Sequence, residues 1–154
     1  QLVDRVGVAL RLGFPAGPAL ERLATGCAGA AEALLPTSME QNDLCCHLSG
    51  AETKALSWVE GRTLAPERIA LEVYDLLART VFRMLLAGCK QTGAQAALIV
   101  GGVASSELLR GLIVKRLQKA RAPVRAVFGD RRYSADNAAG VAVIGMRKHL
   151  QTGV

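Results

Sequence analysis

The chain has 154 residues, is 51% hydrophobic and only 4% aromatic, and carries a formal net charge of +6. This length fits one ordinary domain with a single core, so we expect residues 1–154 to form one domain that needs no disulfide. The four cysteines lack CxxC spacing and the density of a secreted disulfide scaffold, which predicts reduced thiols and a cytoplasmic protein. No apolar run approaches the ~18 residues of a membrane span, so no membrane partner is expected.

The first 35 residues predict two helices that are separated by a turn at the segment GFPAGP. Pro15 and Pro18 interrupt the helical pattern, and Gly17 offers a positive φ. The chain starts at Gln1 with residues that already look helical, and we therefore expect a piece of a longer protein. A weaker pattern follows, with an extended piece near 44–48 and a helix from about Ala51.

The strongest helical signal begins at Pro66 and is expected to end near Gly93. Apolar residues recur there at steps of three and four, as in an amphipathic helix that packs across a sheet: Ile69, Val73, Leu76, Leu77, Val81, Met84 and Leu85.

The second half of the chain predicts an alternation of strands and helices. AALIVGG (96–102) is a short apolar run that is typical of a strand covered on both faces, and a helix follows from Ser105 or Ser106. VRAVFGD (124–130) predicts a second strand, and the segment from Ser134 predicts a closing helix. The order favours an α/β fold with a parallel βαβ unit and extra helices.

Two glycines, Gly101 and Gly102, separate the first of these strands from its helix. Glycines at this point let the backbone approach a ligand closely, and a helix N-terminus favours an anion. The alternative is a tight turn that is followed by a serine N-cap. In SADNAAG, Asp136 and Asn137 present a similar choice, because the carboxylate suits a metal ion or a ribose hydroxyl but also suits an N-cap.

Nucleophilic or metal-dependent hydrolysis has little support in the residue pattern. The only histidines are His47 and His149, and no HxxxH or HExxH pair is present. In an extended CCH segment Cys45 and His47 share a face, which gives at most two ligands. We expect His47 to be buried and hydrogen-bonded.

A basic patch extends over residues 110–132. It suits a polyanion such as a nucleic acid, although a solvated helix face is the alternative because only Tyr133 could stack on bases. Its cations are Arg110, Lys115, Arg116, Lys119, Arg121, Arg125, Arg131 and Arg132, against Glu107 and Asp130.

Taken together, four segments resemble one family in order and spacing: DRVGVALRLGFPAGPALERLA, LSGAETKA, LIVGGVASSELLR and YSADNAAGVAVIGM. They are similar to the tRNA threonylcarbamoyladenosine modification enzymes, also called O-sialoglycoprotein endopeptidases or glycoproteases. The resemblance implies an actin-like ATPase, or ribonuclease H-like, fold of two lobes. This chain is then the C-terminal lobe, and the N-terminal lobe is absent.

The resemblance also implies an activity and a set of site residues. The family transfers a threonylcarbamoyl group from its adenylate to the adenine at position 37 of tRNA. ATP or threonylcarbamoyl-adenylate is the expected ligand, with one divalent metal, iron or zinc, only if the missing lobe supplies histidines. The implied ligand contacts are Asp4, Gly17, Gly101, Gly102 and Ser106, and the implied metal ligand is Asp136; no catalytic residue is expected in this chain.

The sequence departs from the family pattern at several motif positions. Ser106 stands where the family has a ligand-contacting asparagine, and PAGP, LSGAET and SADNAAG differ from the usual motifs. Two interpretations follow: an adenylate-binding lobe that is inactive alone, or a non-catalytic paralogue that acts as a nucleotide-binding or assembly partner in tRNA modification. The expected partners are an adenine nucleotide, tRNA through the basic patch and other subunits of the modification complex, with self-association possible. A metalloprotease has no support in these residues.

Overall fold

The computed structural model describes residues 1–40, 44–134 and 138–152. Its elements in chain order are α1 (Leu2–Ala9), α2 (Gly17–Thr25), β1 (Ser38–Glu40), β2 (Cys45–His47), α3 (Ser49–Gly61), α4 (Pro66–Thr92), β3 (Ala96–Ile99), α5 (Glu107–Lys119), β4 (Arg125–Phe128), α6 (Arg131–Ser134) and α7 (Ala138–Thr152). A single 3₁₀ turn, Val103–Ser105, connects β3 to α5.

Helix α4 is the centre of the molecule. Every residue from Ile69 to Leu76 is buried, because α1, α2, α3 and α5 all pack against this helix. Pro66 occupies its first turn and Gly93, with φ 73°, ends it, as the sequence predicts. The expected packing across a sheet is only partly found, since α4 lies mainly among helices and touches β3.

Strands β3 and β4 form a parallel pair that is connected through α5, so the predicted parallel unit is present. Ile99 and Phe128 pair with each other and pack against the hydrophobic core. The expectation that both faces are covered is wrong: Leu98 and Val127, which pair on the opposite face, are 67% and 37% exposed. An apolar run in the sequence does not show whether a second layer of the fold lies within the same chain.

The other elements follow the sequence with a few corrections. The positive φ values in the turn between α1 and α2 are found at Arg11 and Gly13 and not at Gly17. β1, which pairs antiparallel with β2, and the short α6 were not predicted, because elements of three or four residues carry little periodic signal. All four cysteines are free thiols.

The closing helix α7 is present and places apolar side chains in solvent. Val141, Ile144, Met146 and Leu150 are all exposed. Within the described ranges, no helix is both long enough and apolar enough to cross a membrane.

Two buried charged residues on α4 attach neighbouring segments to it. The Glu72 carboxylate, which is fully buried, accepts hydrogen bonds from the backbone nitrogens of Glu32 (2.7 Å) and Leu34 (2.9 Å). One turn further on, the Asp75 carboxylate pairs with Arg79 at 2.6 Å and with Arg116 of α5. The loop before β1 and helix α5 are thereby fixed against α4.

We predict that Glu72→Gln destabilises the protein by about 2–3 kcal/mol, because a carboxamide offers one acceptor oxygen to two backbone donors and leaves one of them unsatisfied. Glu60→Gln is the matched control, since Glu60 is exposed and makes no ion pair among the described residues. Urea unfolding measures both variants. Equal urea midpoints for the two variants would contradict the role of Glu72 in fixing the loop before β1.

Candidate functional site

A cavity of about 720 Å³ lies beyond the carboxyl ends of β3 and β4. The loop after β3 contributes Gly102 and Ser106 to its wall, and α6, which follows β4, contributes Arg131 and Arg132. The opposite part of the chain contributes residues of α1, the turn before α2, α2 itself and α4. Ligands of parallel α/β proteins bind at this end of the strands.

Four of the site residues implied by the sequence lie together in this cavity: Asp4, Gly17, Gly102 and Ser106. Gly101 precedes the lining segment and has a φ of 112°, which only glycine adopts without strain. Asp136 and Asn137 lie outside the described residues. The fold therefore brings together segments that are distant in the sequence.

Asp4 has a structural contact inside the cavity wall. Its Oδ1 accepts a hydrogen bond from the backbone nitrogen of Ala16 at 2.9 Å, immediately before α2 begins. The same carboxylate has a second oxygen for which the described residues provide no hydrogen bond. Asp4 therefore holds the turn between α1 and α2 through one of its two oxygens.

The loop between β3 and α5 shows which of the two serines, Ser105 or Ser106, begins the helix as its N-cap. Ser106 is the N-cap of α5, since its Oγ accepts from the backbone nitrogen of Leu109 at 3.1 Å. The Ser105 hydroxyl is buried, belongs to the residues that line the cavity, and has no hydrogen-bond partner among the described residues. Ser106 is thus the N-cap serine, and the unsatisfied hydroxyl belongs to Ser105.

Among the lining residues that sequence reasoning missed, Glu21 and Tyr74 hold the wall together by hydrogen bonds. The Glu21 carboxylate accepts from the backbone nitrogen of Leu108, in the first turn of α5, at 2.8 Å. The Tyr74 hydroxyl donates to the carbonyl oxygen of Gly17 at 3.1 Å. The position of Glu21, one helical turn after Gly17, could have identified it from the sequence. Tyr74, in contrast, looks like an ordinary core residue of α4.

The environment of Tyr74 raises its pKa from 10.0 to about 12. Burial is the main cause, because it disfavours the charged phenolate, and the negative charges of Glu21 and Asp4 act in the same direction. A hydrogen bond with Ser106 opposes them. Tyr74 is therefore a neutral hydrogen-bond donor at any physiological pH.

Two arginines give the cavity a basic side. Arg131 forms an ion pair with Glu107 at the start of α5. Arg132 is held by Asp130 through its backbone nitrogen (2.9 Å) and its guanidinium (2.7 Å). These hydrogen bonds lower the pKa of Asp130 from 3.8 to about 2. The cavity thus combines the carboxylates of Asp4 and Glu21 with two guanidinium groups.

Besides Arg131 and Arg132, the basic patch of residues 110–132 contains two kinds of cation. Arg110 donates to the carbonyl oxygens of Ala104 (2.6 Å) and Gly129 (2.8 Å), and Arg116 pairs with the buried Asp75, so both serve the fold. Four others, beyond the middle of α5, are exposed and have no ion-pair partner in the part of the chain that the structure describes: Lys115, Lys119, Arg121 and Arg125. We call these four the distal cations.

The described residues contain no group of three His, Cys, Asp or Glu side chains placed to hold a metal ion. His47 contacts Glu40 at 2.9 Å across the β1–β2 hairpin. Its hydrogen bond was expected but its burial was not found, because the hairpin is exposed and the histidine is 55% accessible. Cys45 is also exposed.

The fold and the cavity define an α/β domain that presents a ligand-sized cavity, with carboxylates and guanidinium groups in its wall, at the carboxyl ends of parallel strands. The family model for tRNA N6-adenosine threonylcarbamoyltransferase (TsaD) matches residues 1–143. The chain belongs to this family, and the resemblance of its motifs is confirmed.

Curated relatives with the name tRNA N6-adenosine threonylcarbamoyltransferase match nearly the whole chain. The protein of one Thermus thermophilus strain is 33% identical over 149 residues, which is 95% of this chain and 43% of the relative. That of Gloeobacter violaceus is 33% identical over 152 residues, with 94% and 42% covered. That of an Acidovorax species is 30% identical over 157 residues, with 97% and 43% covered. The chain thus spans less than half the length of these relatives.

The two tyrosines allow the electrostatics of the cavity to be measured directly. In the variant Tyr133→Phe we expect the phenolate absorbance to appear only near pH 12, because Tyr74 is then the single tyrosine. Tyr74→Phe is the control: it removes the buried phenol, so the absorbance change near pH 12 should disappear. Circular dichroism at each pH verifies that the chain is still folded, and ionisation of Tyr74 near pH 10 in folded protein would contradict the assignment.

Proposed function

We propose that this chain is the adenylate-binding, C-terminal lobe of an actin-like tRNA threonylcarbamoyladenosine transferase-like protein. The observation that carries the proposal is the convergence of Asp4, Gly17, Gly102 and Ser106 on one cavity. ATP or threonylcarbamoyl-adenylate is the proposed ligand, since both contain the adenosine that these residues would contact. Membership of the family supports the assignment.

The chemistry of the cavity fits an adenosine. Its volume of about 720 Å³ lies within the range of small-molecule pockets, roughly 300–1,000 Å³. The carboxylates of Asp4 and Glu21 can accept hydrogen bonds from ribose hydroxyls, and the unsatisfied Ser105 hydroxyl offers a further polar contact. A Cβ added at Gly17 would meet only Val3, at an ordinary 3.8 Å, so packing does not require glycine there, and its value lies in keeping the cavity open.

Threonylcarbamoyl transfer itself is proposed for the full-length protein and not for this chain alone. Asp136 would contribute one carboxylate to a divalent iron or zinc ion, and histidines of the N-terminal lobe would complete the site. Such a metal would supply electrostatic stabilisation of the phosphate during transfer. The residues of this chain would bind and orient the adenosine.

A non-catalytic role is the second candidate, and Ser106 favours it. Its hydroxyl is engaged as the N-cap of α5, at a position where the family pattern has an asparagine amide. In this case the chain binds a nucleotide, or assembles with other subunits of a tRNA-modifying complex, without supporting transfer. Transfer activity of the full-length protein would exclude this candidate.

We expect ATP and a non-hydrolysable threonylcarbamoyl-adenylate analogue to bind the chain saturably in calorimetric titrations, and Gly102→Arg to weaken both at least tenfold. Gly102 lines the cavity with an ordinary helical φ of −56°, so the arginine fills the site without straining the backbone.

Gly50→Arg is the matched control for this experiment. Gly50 is exposed near the start of α3, does not line the cavity, and has no atom within 4 Å of an added Cβ. The control should bind like the original chain. Absence of binding by the original chain at millimolar ligand, or equal weakening in both variants, would overturn the proposed site.

We further propose that the basic patch of residues 110–132 binds tRNA, and that the distal cations make its phosphate contacts. Helix α5 has 13 residues, so its far end lies about 20 Å from the cavity. A nucleic acid that is held there could extend along the protein surface to present a base at the cavity.

Replacing the distal cations by glutamine is expected to weaken tRNA binding at least tenfold and to lower the slope of log K against log salt by about three. The control replaces the same number of exposed cations elsewhere with glutamine: Arg11, Arg62, Arg83 and Lys90. Filter binding at several salt concentrations measures both. An equal loss in both variants would mean that only net charge matters.

The exposed apolar surfaces fit a chain that is one part of a longer protein. Leu98, Val127 and the apolar residues of α7 are solvent-exposed, and uncovered patches of this kind mark interaction surfaces. We propose that the N-terminal lobe covers part of them in the longer protein, and that the separate chain self-associates through them. Sedimentation at increasing concentration detects such association; a monomer at every concentration would refute it.

A further inference from the structure

The cavity is electrically divided, and its basic side is not explained by an adenosine. Asp4 and Glu21 provide two carboxylates, which suit hydroxyl donors and repel a phosphate. Arg131 and Arg132 provide two guanidinium groups in the same cavity. A ligand that carries both hydroxyls and an anionic group matches this division.

The two arginines differ in how firmly they are held. Arg132 is chelated by Asp130, with its Nε 3.2 Å from both carboxylate oxygens and its Nη2 2.7 Å from one of them. Arg131 has a single ion pair, with Glu107. The side chains of that pair are 53% and 76% exposed, and an ion pair in such a position contributes little to stability. Arg131 is the guanidinium that can change partner.

The position of Arg131 also suits an exchange of partners. Arg131 lines the main cavity and a neighbouring one of about 660 Å³, in which Glu107 lies. The main cavity is bordered by the N-terminal ends of both α2 and α5, and their dipoles favour a negative group there. A guanidinium can also bind two oxygens of one phosphate, which a single contact with Glu107 does not match.

We propose that Arg131 binds the phosphoryl group of the adenine nucleotide, and that Glu107 holds the same guanidinium in the unliganded chain. This inference rests on the proposed adenylate site and adds the orientation of the nucleotide within it. The ribose lies towards Asp4 and Glu21, and the phosphate lies towards α6. Glu107 then acts as a competitor that the ligand displaces.

The test compares adenosine, AMP and ATP by calorimetry, with a chelator present so that no divalent metal contributes. We expect AMP and ATP to bind the original chain about tenfold more tightly than adenosine. Arg131→Ala should remove most of this gain and change adenosine binding less than about twofold. Arg83→Ala is the matched control, because Arg83 is exposed and does not line the cavity.

A second variant tests the same exchange of partners, and it should strengthen nucleotide binding where Arg131→Ala weakens it. Glu107→Gln removes the competing carboxylate and should strengthen AMP and ATP binding about two- to threefold without affecting adenosine. Adenosine binding with no gain from phosphate, or unchanged AMP binding in Arg131→Ala, would overturn this inference alone. Failure of all three ligands to bind the original chain would overturn both the inference and the proposed site.

Discussion

Helix α4 carries three buried polar side chains within one turn, and each of them fixes a different part of the molecule. Glu72 binds the backbone at residues 32 and 34, Tyr74 binds the carbonyl of Gly17, and Asp75 pairs with Arg116 of α5. A polar group inside a helix that is buried on all sides is tolerated only when its hydrogen bonds are made. The positions of α2 and α5, which border the cavity, therefore depend on this one turn.

The cavity is a consequence of that arrangement. Asp4 and Glu21 each use a carboxylate oxygen to accept a backbone N–H near a helix start, at Ala16 before α2 and at Leu108 in α5. Both helix N-termini thus converge beside the carboxyl ends of the parallel strands. The same contacts that satisfy the backbone bring carboxylates, hydroxyls and helix dipoles into one place.

The sequence predicts an element of this fold well where its periodic pattern is long, and it predicts single contacts between distant residues poorly. The long apolar repeat between Pro66 and Gly93 predicts α4 almost to the residue, and Ser106 was a foreseeable N-cap. Nothing in the sequence distinguishes Arg116, which pairs with a buried carboxylate, from the exposed Lys115 beside it. Tyr74 has the spacing of a core residue, and only the packing of α2 against α4 places its hydroxyl in the cavity wall.

The loop after β3 carries two glycines and two serines with different structural roles. Gly101 has a positive φ of 112°, and Gly102 lines the cavity. Ser106 gives its hydroxyl to the start of α5, whereas an asparagine amide would have both a donor and an acceptor to offer. The neighbouring Ser105 holds an unsatisfied hydroxyl in the same wall, and a buried group of this kind stabilises whatever ligand satisfies it. In the proposed adenylate site, recognition would therefore rest on the backbone of this loop, the Ser105 hydroxyl and Arg131.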